Sequence, residues 1–140
     1  MPARPIPQAT AETEPFWQGA RSGEVRLPKC LACGRLHHPP LARCPYCLGQ
    51  KLEWITLSGR CRLRSWTTIH VASVPGVESP FTICEAELAE QNDLVLIGHL
   101  AGISDNELAV GREMKIGFTA GANGTAYPQI EPLPADASAS

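Results

Sequence analysis

The feature that most constrains this chain is a set of four cysteines arranged as two C-x-x-C pairs. Cys30 and Cys33 form the first pair, and Cys44 and Cys47 follow after ten intervening residues. Four thiolates spaced in this way can hold one tetrahedral Zn²⁺ ion, with Zn–S distances of about 2.3 Å. The sequence therefore predicts a structural zinc site on a short ribbon, with Cys30, Cys33, Cys44 and Cys47 as its metal ligands.

Glycines follow both pairs, and they suggest how each turn closes. Gly34 comes directly after Cys33, and Gly49 lies two residues after Cys47. Glycine adopts positive φ without steric cost, and tight turns around a metal often need that conformation. We therefore expect positive φ at Gly34 and at Gly49.

Other interpretations of the same segment remain open at this point. Cys44-Pro-Tyr-Cys47 alone is similar to a glutaredoxin redox pair, but such a pair is expected in a βαβ unit without a second pair nearby. Disulfides are disfavoured because nothing marks the chain as secreted. Iron could replace zinc in a four-thiolate site. His37 and His38 lie between the pairs and could replace a ligand, although polar loop residues are their simpler role.

Composition narrows the choice of partner and compartment. The chain has 140 residues, 44% of them hydrophobic, which suffices for one medium domain or for a ribbon plus a small barrel. Its formal net charge of -2 argues against a nucleic-acid-binding surface, which is normally basic. Six cysteines without an apolar N-terminal stretch predict a cytoplasmic protein, and no apolar run approaches the length of a membrane span.

Turn residues and hydrophobic patterns divide the chain into segments and make the fold mainly β. We predict a disordered N-terminus at 1–11, a short helix at 12–24, a rubredoxin-like zinc ribbon at 25–58, an OB-fold barrel at 59–131 and a disordered tail at 132–140. Five strands are predicted for the barrel, at 60–71, 81–89, 94–101, 112–119 and 125–130.

The predicted helix carries two aromatic side chains that need a surface to pack against. Thr13 is a candidate cap, and Phe16 and Trp17 lie on one helical face. A helix of this length is not stable alone. The pair is therefore expected either to pack on the chain's own ribbon, or to contact a partner or line a ligand groove.

No set of catalytic residues assembles from the sequence. Cys61 and Cys84 are single cysteines inside predicted strands and are expected to be buried. Glu85 and Glu87 share the outward face of one strand, where solvated carboxylates are the simplest expectation.

One charged strand is a candidate binding surface. Arg60, Arg62 and Arg64 alternate along the first barrel strand, Trp66 continues their face by simple alternation, and Ile69 falls on the opposite, inward face. Guanidinium groups beside an indole could bind phosphates and stack an adenine. The alternative is a solvated face whose charges discourage edge pairing.

Taken in order, these features resemble the zinc-ribbon/OB-fold proteins associated with acyl-CoA enzymes, known as domain of unknown function thirty-five. The resemblance covers residues 14 to 131 and is carried by Phe16-Trp17, Gly23, Pro28, Cys30, Cys33-Gly34, Pro39-Pro40, Cys44-Pro45, Cys47, Leu52-Glu53-Trp54, Leu57-Ser58-Gly59-Arg60, Pro80-Phe81 and Val110-Gly111. One departure is the turn from Ala89 to Asp93, where the family usually has a glycine.

The resemblance implies a structural zinc ion and a role beside a thiolase-like enzyme. The leading hypothesis is a non-catalytic accessory subunit, not itself an enzyme, that docks on such a partner as a hetero-oligomer. In this hypothesis the helix and ribbon contact the partner, and Arg60, Arg62, Arg64 and Trp66 face acyl-CoA. The alternative is a zinc-ribbon/OB module for single-stranded nucleic acid, against which the charge and the aromatic content of 6% both count.

Overall fold

The computed structural model describes residues 4–71 and 74–133 and shows a mainly β chain. The parts of the predicted disordered ends that fall on residues 1–3 and 134–140 lie outside the described residues. Within the described part, the N-terminal segment runs along the barrel: the Tyr127 hydroxyl donates to the Pro5 carbonyl at 2.8 Å, and the Arg4 guanidinium lies 3.8 Å from the centre of the Tyr127 ring.

Helix α1 spans Glu14–Arg21 and begins differently from the prediction. Pro15 lies in its first turn and Glu14 supplies a favourable negative charge there. Thr13 occupies the cap position, but its hydroxyl makes no capping bond and instead accepts from the Thr10 N–H at 2.8 Å. The backbone of Thr13 is already near-helical rather than extended, which corrects the predicted capping role. No helix in the described residues is long and apolar enough to cross a membrane.

Two antiparallel strands form the ribbon. Strand β1 spans Val25–Cys30 and β2 spans Leu52–Leu57, with Val25 opposite Leu57 and Cys30 opposite Leu52. The pairing places Cys30 at the end of β1, where the first C-x-x-C turn begins.

Five further strands close into a barrel, which confirms the predicted OB-type fold. They are β3 (Arg60–Ile69), β4 (Phe81–Leu88), β5 (Val95–Leu100), β6 (Glu113–Ala120) and β7 (Ala126–Pro132). Their order is β3-β4-β5-β7-β6, with β6 pairing back to β3; the β5–β7 pair is parallel and the others are antiparallel. The predicted ends of all five strands lie within two residues of the observed ends.

Ribbon and barrel share one apolar core. In β4 every second residue is buried, as expected for a strand with one face inward. Its buried side chains join those of β1 and α1 in one cluster, which includes Phe16, Val25, Leu27, Leu36, Leu57, Cys61, Leu63, Cys84, Ala86, Leu88, Met114 and Ile130. The buried positions of Cys61 and Cys84 agree with the expectation from the sequence.

A β-bulge at Arg64 corrects the predicted face of β3. Leu63 pairs with Ala86 and Ser65 with Glu85, so Arg64 is an extra residue without an opposite partner. Beyond the bulge the alternation is inverted. Trp66 lies opposite buried Cys84 and packs against the core, whereas Ile69 lies opposite Phe81 on the outer face. Trp66 therefore does not continue the arginine face, and Ile69 does not point inward.

The turn between β4 and β5 ties the barrel to the ribbon. The Gln91 amide accepts from the Leu36 N–H and donates to the Leu36 carbonyl, both at 2.8 Å. Glu90 accepts from the Ser58 N–H at 2.8 Å. This is the turn in which the sequence departs from the family pattern, and its two polar side chains hold the ribbon against the barrel.

The close parallel pairing of β5 with β7 leaves no room for a side chain at Gly98. A Cβ added there would lie 3.0 Å from the Pro128 carbonyl oxygen and 3.2 Å from the Gln129 Cα. Because these are backbone atoms of a paired strand, Gly98→Ala is expected to lower the free energy of unfolding by about 1–3 kcal/mol. The neighbouring Ile97 is 60% exposed, and Ile97→Ala should change it by less than about 0.5 kcal/mol. Urea unfolding of both variants checks the prediction, and equal stability would contradict it.

Candidate metal centre and binding surfaces

The four ribbon cysteines converge on one point. Their Sγ atoms all lie within 4.8 Å of one another, with Cys30 and Cys47 3.5 Å apart and Cys33 and Cys44 3.6 Å apart. Zinc–sulfur bonds of about 2.3 Å in a tetrahedron require sulfur–sulfur distances of about 3.8 Å. The cluster thus has the size and the donor set of a four-thiolate metal site.

The two turns that present these sulfurs differ in detail. In the first turn the Gly34 N–H donates to the Cys30 carbonyl at 2.8 Å, and Gly34 has a φ of +79°, as expected. In the second turn the Leu48 N–H donates to the Cys44 carbonyl at 2.9 Å, and Leu48 rather than Gly49 takes positive φ, at +64°. The expectation for Gly49 is therefore wrong.

Gly49 is required by space rather than by conformation. A Cβ added there would lie 3.2 Å from the Cys30 sulfur and 3.3 Å from the Cys47 sulfur. These contacts are tighter than ordinary van der Waals distances, so a side chain at this position would press on the sulfurs. Gly49 therefore lets the second turn close over the cluster.

The ribbon thiols are not all shifted in the same direction: although the Gly49 N–H lowers it, the hydrogen bond with Cys30 and burial together raise the pKa of Cys47 to about 12. The backbone N–H of Cys33 lowers the pKa of the Cys30 thiol to about 6, which favours the thiolate that a metal requires. Burial, with a smaller effect of the neighbouring Cys84, raises the pKa of Cys61 to about 12. Burial raises the pKa of Cys84 to about 11. The barrel thiols therefore stay protonated and serve as apolar core residues.

The two histidines lie outside the sulfur cluster. His37 is buried, and its Nε2 accepts from the Leu41 N–H at 3.1 Å. The His38 ring packs against Phe16 with the ring centres 5.4 Å apart. Neither imidazole belongs to the group of side chains close enough to share an ion. Their positions favour a packing role over ligation.

The aromatic pair of α1 packs partly inside the chain itself. Phe16 is 4% exposed and meets Trp17 edge to face, with the ring centres 5.0 Å apart. Trp17 is half-buried against the same core. Phe16 is therefore covered by its own ribbon, and only Trp17 keeps surface that another molecule could contact.

The arginines of β3 are compensated by carboxylates across the sheet. Arg62 pairs with Glu87 at 3.3 Å, and Arg64 lies 3.6 Å from Glu85 and 3.5 Å from Asp93. The Asp93 N–H and the nearby arginines lower the pKa of Glu87, which keeps its charge in place. Anion binding by this face would have to displace these pairs, so direct contact with acyl-CoA stays a prediction.

A second set of basic residues was missed by the sequence interpretation. Residues 25–52 hold five of the twelve Lys and Arg and none of the fourteen Asp and Glu. The same segment carries four exposed apolar side chains, and the Arg35 guanidinium lies 4.7 Å from the centre of the ring of one of them, Tyr46; the four are Leu31, Leu41, Tyr46 and Leu48. The charge of that segment, counted separately from the rest, would have revealed it.

A four-cysteine ribbon joined to a closed five-stranded barrel defines the class of zinc-ribbon/OB-fold proteins. Two family models match the chain in that order: the ChsH2 rubredoxin-like zinc ribbon domain over residues 17–53, and the ChsH2 C-terminal OB-fold domain over residues 54–119. The chain belongs to this ChsH2 family, which confirms the resemblance drawn from the sequence. The predicted domain boundaries and the predicted binding residues stay predictions.

Named relatives and a solved structure agree with the family. The 3-oxo-4,17-pregnadiene-20-carboxyl-CoA hydratase alpha subunit of Mycobacterium tuberculosis is 30% identical over 109 residues, 78% of this chain and 34% of that protein. The benzoylsuccinyl-CoA thiolase subunit BbsA of Thauera aromatica is 32% identical over 62 residues, 44% of this chain and 42% of BbsA. A structure titled Ltp2-ChsH2(DUF35) aldolase has a TM-score of 0.81 at 22% identity, covering 90% of this chain and 98% of that one.

These names correct one prediction. The chain was predicted not to be an enzyme, but its relatives are named as a hydratase subunit and as part of an aldolase, so the family occurs within catalytic units. The chain spans about a third of the length of the hydratase subunit it matches. The physical reason for the error is that a search for catalytic residues in one chain cannot detect activity that belongs to an assembly.

Burial of His38 predicts a pH-dependent stability. Burial, reinforced by His37, lowers the pKa of His38 to about 4, whereas unfolded histidine titrates near about 6.5. The unfolded chain therefore takes up a proton that the folded chain does not, and the free energy of unfolding should fall as the pH drops from about 6.5 towards 4.

Measuring the free energy of unfolding in urea between about pH 7 and about pH 5 checks this prediction. His38→Phe should flatten the pH dependence by up to about 1 kcal/mol per pH unit, and His70→Gln, on an exposed residue, should not. Comparing His38→Phe with the unsubstituted chain isolates His38, because these two chains share every other titrating group. The same slope in His38→Phe and in the unsubstituted chain would contradict the prediction.

Proposed function

We propose that this chain is a subunit of an acyl-CoA-processing enzyme and that it docks on a thiolase-like partner to form the catalytic unit. One observation carries the proposal: the whole ribbon-and-barrel fold superposes on a chain of an Ltp2-ChsH2 aldolase with a TM-score of 0.81 and 98% coverage of that chain. The relatives named for CoA hydratase and CoA thiolase subunits support the same substrate class.

Within this proposal the four cysteines hold a structural zinc ion. Cys30, Cys33, Cys44 and Cys47 supply a complete tetrahedron of thiolates, so no coordination position remains for a substrate. The ion would fix the two turns that lie between β1 and β2. Activity then belongs to the assembled unit, to which this chain contributes a preformed surface.

Metal analysis tests the zinc site. The purified chain should contain about one zinc ion, and Cys47→Ser should lose it, because three thiolates bind zinc far more weakly than four. Cys47 is exposed, so the substitution does not disturb the apolar core. Cys84→Ala is the matched control, since Cys84 lies in the barrel core and should leave the zinc content unchanged. Iron in place of zinc, or no metal at all, would contradict the assignment.

Complex formation tests the docking role. The chain should co-elute with a thiolase-like enzyme from the same organism, and the acyl-CoA activity of that enzyme should change by more than about tenfold when the chain is added, because a shared site is completed only in the complex. The chain denatured and added back without refolding serves as the control. Separate elution together with unchanged activity would overturn the proposal.

A further inference from the structure

The end of the ribbon has an unusual surface, which we call the ribbon tip and define as Leu31, Arg35, Tyr46, Leu48 and Lys51. Leu31 is 58% exposed, Tyr46 48% and Leu48 67%. The Leu31 N–H donates to the Lys51 carbonyl at 3.0 Å, and the Arg35 guanidinium lies 4.7 Å from the centre of the Tyr46 ring. Leu31 and Leu48 directly follow Cys30 and Cys47, whose sulfurs lie 3.5 Å apart, so apolar and cationic side chains from both turns lie around the sulfur cluster at one end of the ribbon.

Arg35 and Lys51 of the ribbon tip, and Arg43 beside Cys44, have no ion-pair partner in the part of the chain that the structure describes, whereas Arg62 and Arg64 of the barrel are both paired. Five positive charges in residues 25–52, combined with the net −2 that a zinc tetrathiolate would have, leave about +3 on that segment, although one of the five, Arg26, is paired with Glu24 at 2.9 Å. The rest of the chain has seven Lys and Arg against fourteen Asp and Glu.

Leu48 adds an independent observation. It has a φ of +64°, a conformation that glycine or asparagine adopts far more easily than leucine. Packing inside this chain does not explain the choice, because the side chain is mostly in solvent. Strained backbone positions of this kind concentrate at functional sites, where the side chain serves a purpose other than stability.

We propose that the ribbon tip is the surface that contacts the thiolase-like partner, and that the partner surface facing it has an aliphatic centre rimmed by carboxylates. The inference rests on the proposed function and specifies which face docks and which chemistry it meets. Protein interfaces have an apolar centre with a polar rim, and tyrosine and arginine are enriched among their strongest contacts. Opposite charges on the two rims would accelerate association and fix its orientation.

Two other occupants fit the tip less well. Single-stranded nucleic acid is bound by rows of aromatic side chains, and among the tip residues Tyr46 is the one aromatic, with its ring covered by Arg35. A second copy of this chain could bring its acidic barrel against the tip, but the outer arginines of that barrel already neutralise Glu85 and Glu87. A separate partner with an acidic rim is the occupant that the charges favour.

Paired variants of the full-length chain test the aliphatic part. Surface plasmon resonance with the thiolase-like enzyme that co-elutes with the chain should show binding at least about tenfold weaker for Leu48→Asn. Asparagine tolerates positive φ, so the melting temperature should stay the same or rise. Val110→Asn is the matched control, because Val110 is 75% exposed on the barrel side, and its affinity should stay within about twofold of the unsubstituted chain.

A second pair tests the charges. Arg35→Ala with Lys51→Ala should slow association about tenfold at low salt and flatten its salt dependence. Arg112→Ala with Lys115→Ala removes the same charge on the barrel and should do neither. Carbodiimide should also cross-link the Lys51 amine to a carboxylate of the partner, and Lys51→Arg should keep the affinity and lose that cross-link.

The outcomes separate this inference from the proposed function. No complex with the unsubstituted chain overturns both. If the Leu48→Asn variant and the Arg35/Lys51 double variant both bind the partner with unchanged affinity, the proposed function stands, but the assignment of the ribbon tip as the docking surface is overturned. If the chain binds a fluorescent oligo-dT at low salt and the double variant does not, the inference is overturned in favour of nucleic acid. If the chain alone forms a salt-sensitive dimer that Leu48→Asn dissociates, it is overturned in favour of a second copy.

Discussion

The meeting of four sulfurs at one point is the interaction on which this chain depends. Residues 31–51 contain no regular strand or helix, and apart from Leu36, which is buried in the core and bonded to Gln91, they are organised mainly by the sulfur cluster and a few turn hydrogen bonds. A segment of that length without secondary structure does not bury enough apolar surface to order itself. A metal ion held by all four thiolates would supply the missing free energy, because it would bind only the folded arrangement. The exposed side chains of the turns then keep fixed positions without support from a core.

The barrel extends that rigidity through a joint that is both apolar and polar. Val25 and Leu27 of the ribbon lie in the same buried cluster as the inward side chains of β3 and β4. The Gln91 amide, bonded to both backbone groups of Leu36, extends the hydrogen bonding of the first turn onto the barrel. A ribbon on a free hinge would lose orientational entropy on docking, whereas a ribbon fixed to its barrel has lost it on folding. The unusual β4–β5 turn therefore has a physical purpose even though it lacks the glycine of the family pattern.

Most of the fold could be predicted from the sequence, because the signals were local and repeated. The C-x-x-C spacing identified the ribbon, and turn residues between alternating segments located all five barrel strands to within two residues. The wrong predictions share one cause: in each case a single residue departs from the regular backbone pattern. The bulge at Arg64 inverted the faces of Trp66 and Ile69, and no residue type in β3 marks it. Positive φ at Leu48 was likewise invisible, since leucine is the wrong residue for it on conformational grounds.

The binding surface proposed from the structure, the ribbon tip, differs from the arginine face of β3 predicted from the sequence, and the reason is electrostatic. Viewed along one strand, the β3 arginines look like a free cationic face, but antiparallel pairing places Glu87 opposite Arg62 and brings Glu85 beside Arg64. Arg62 and Arg64 are then neutralised at short range, and their field fades within about 10 Å of solvent. Residues 25–52 of the ribbon contain no carboxylate, and although Arg26 is paired with Glu24, none of the described carboxylates forms an ion pair with Arg35, Arg43 or Lys51. Which charges remain available to another molecule is decided by the register of the sheet rather than by the count along the chain.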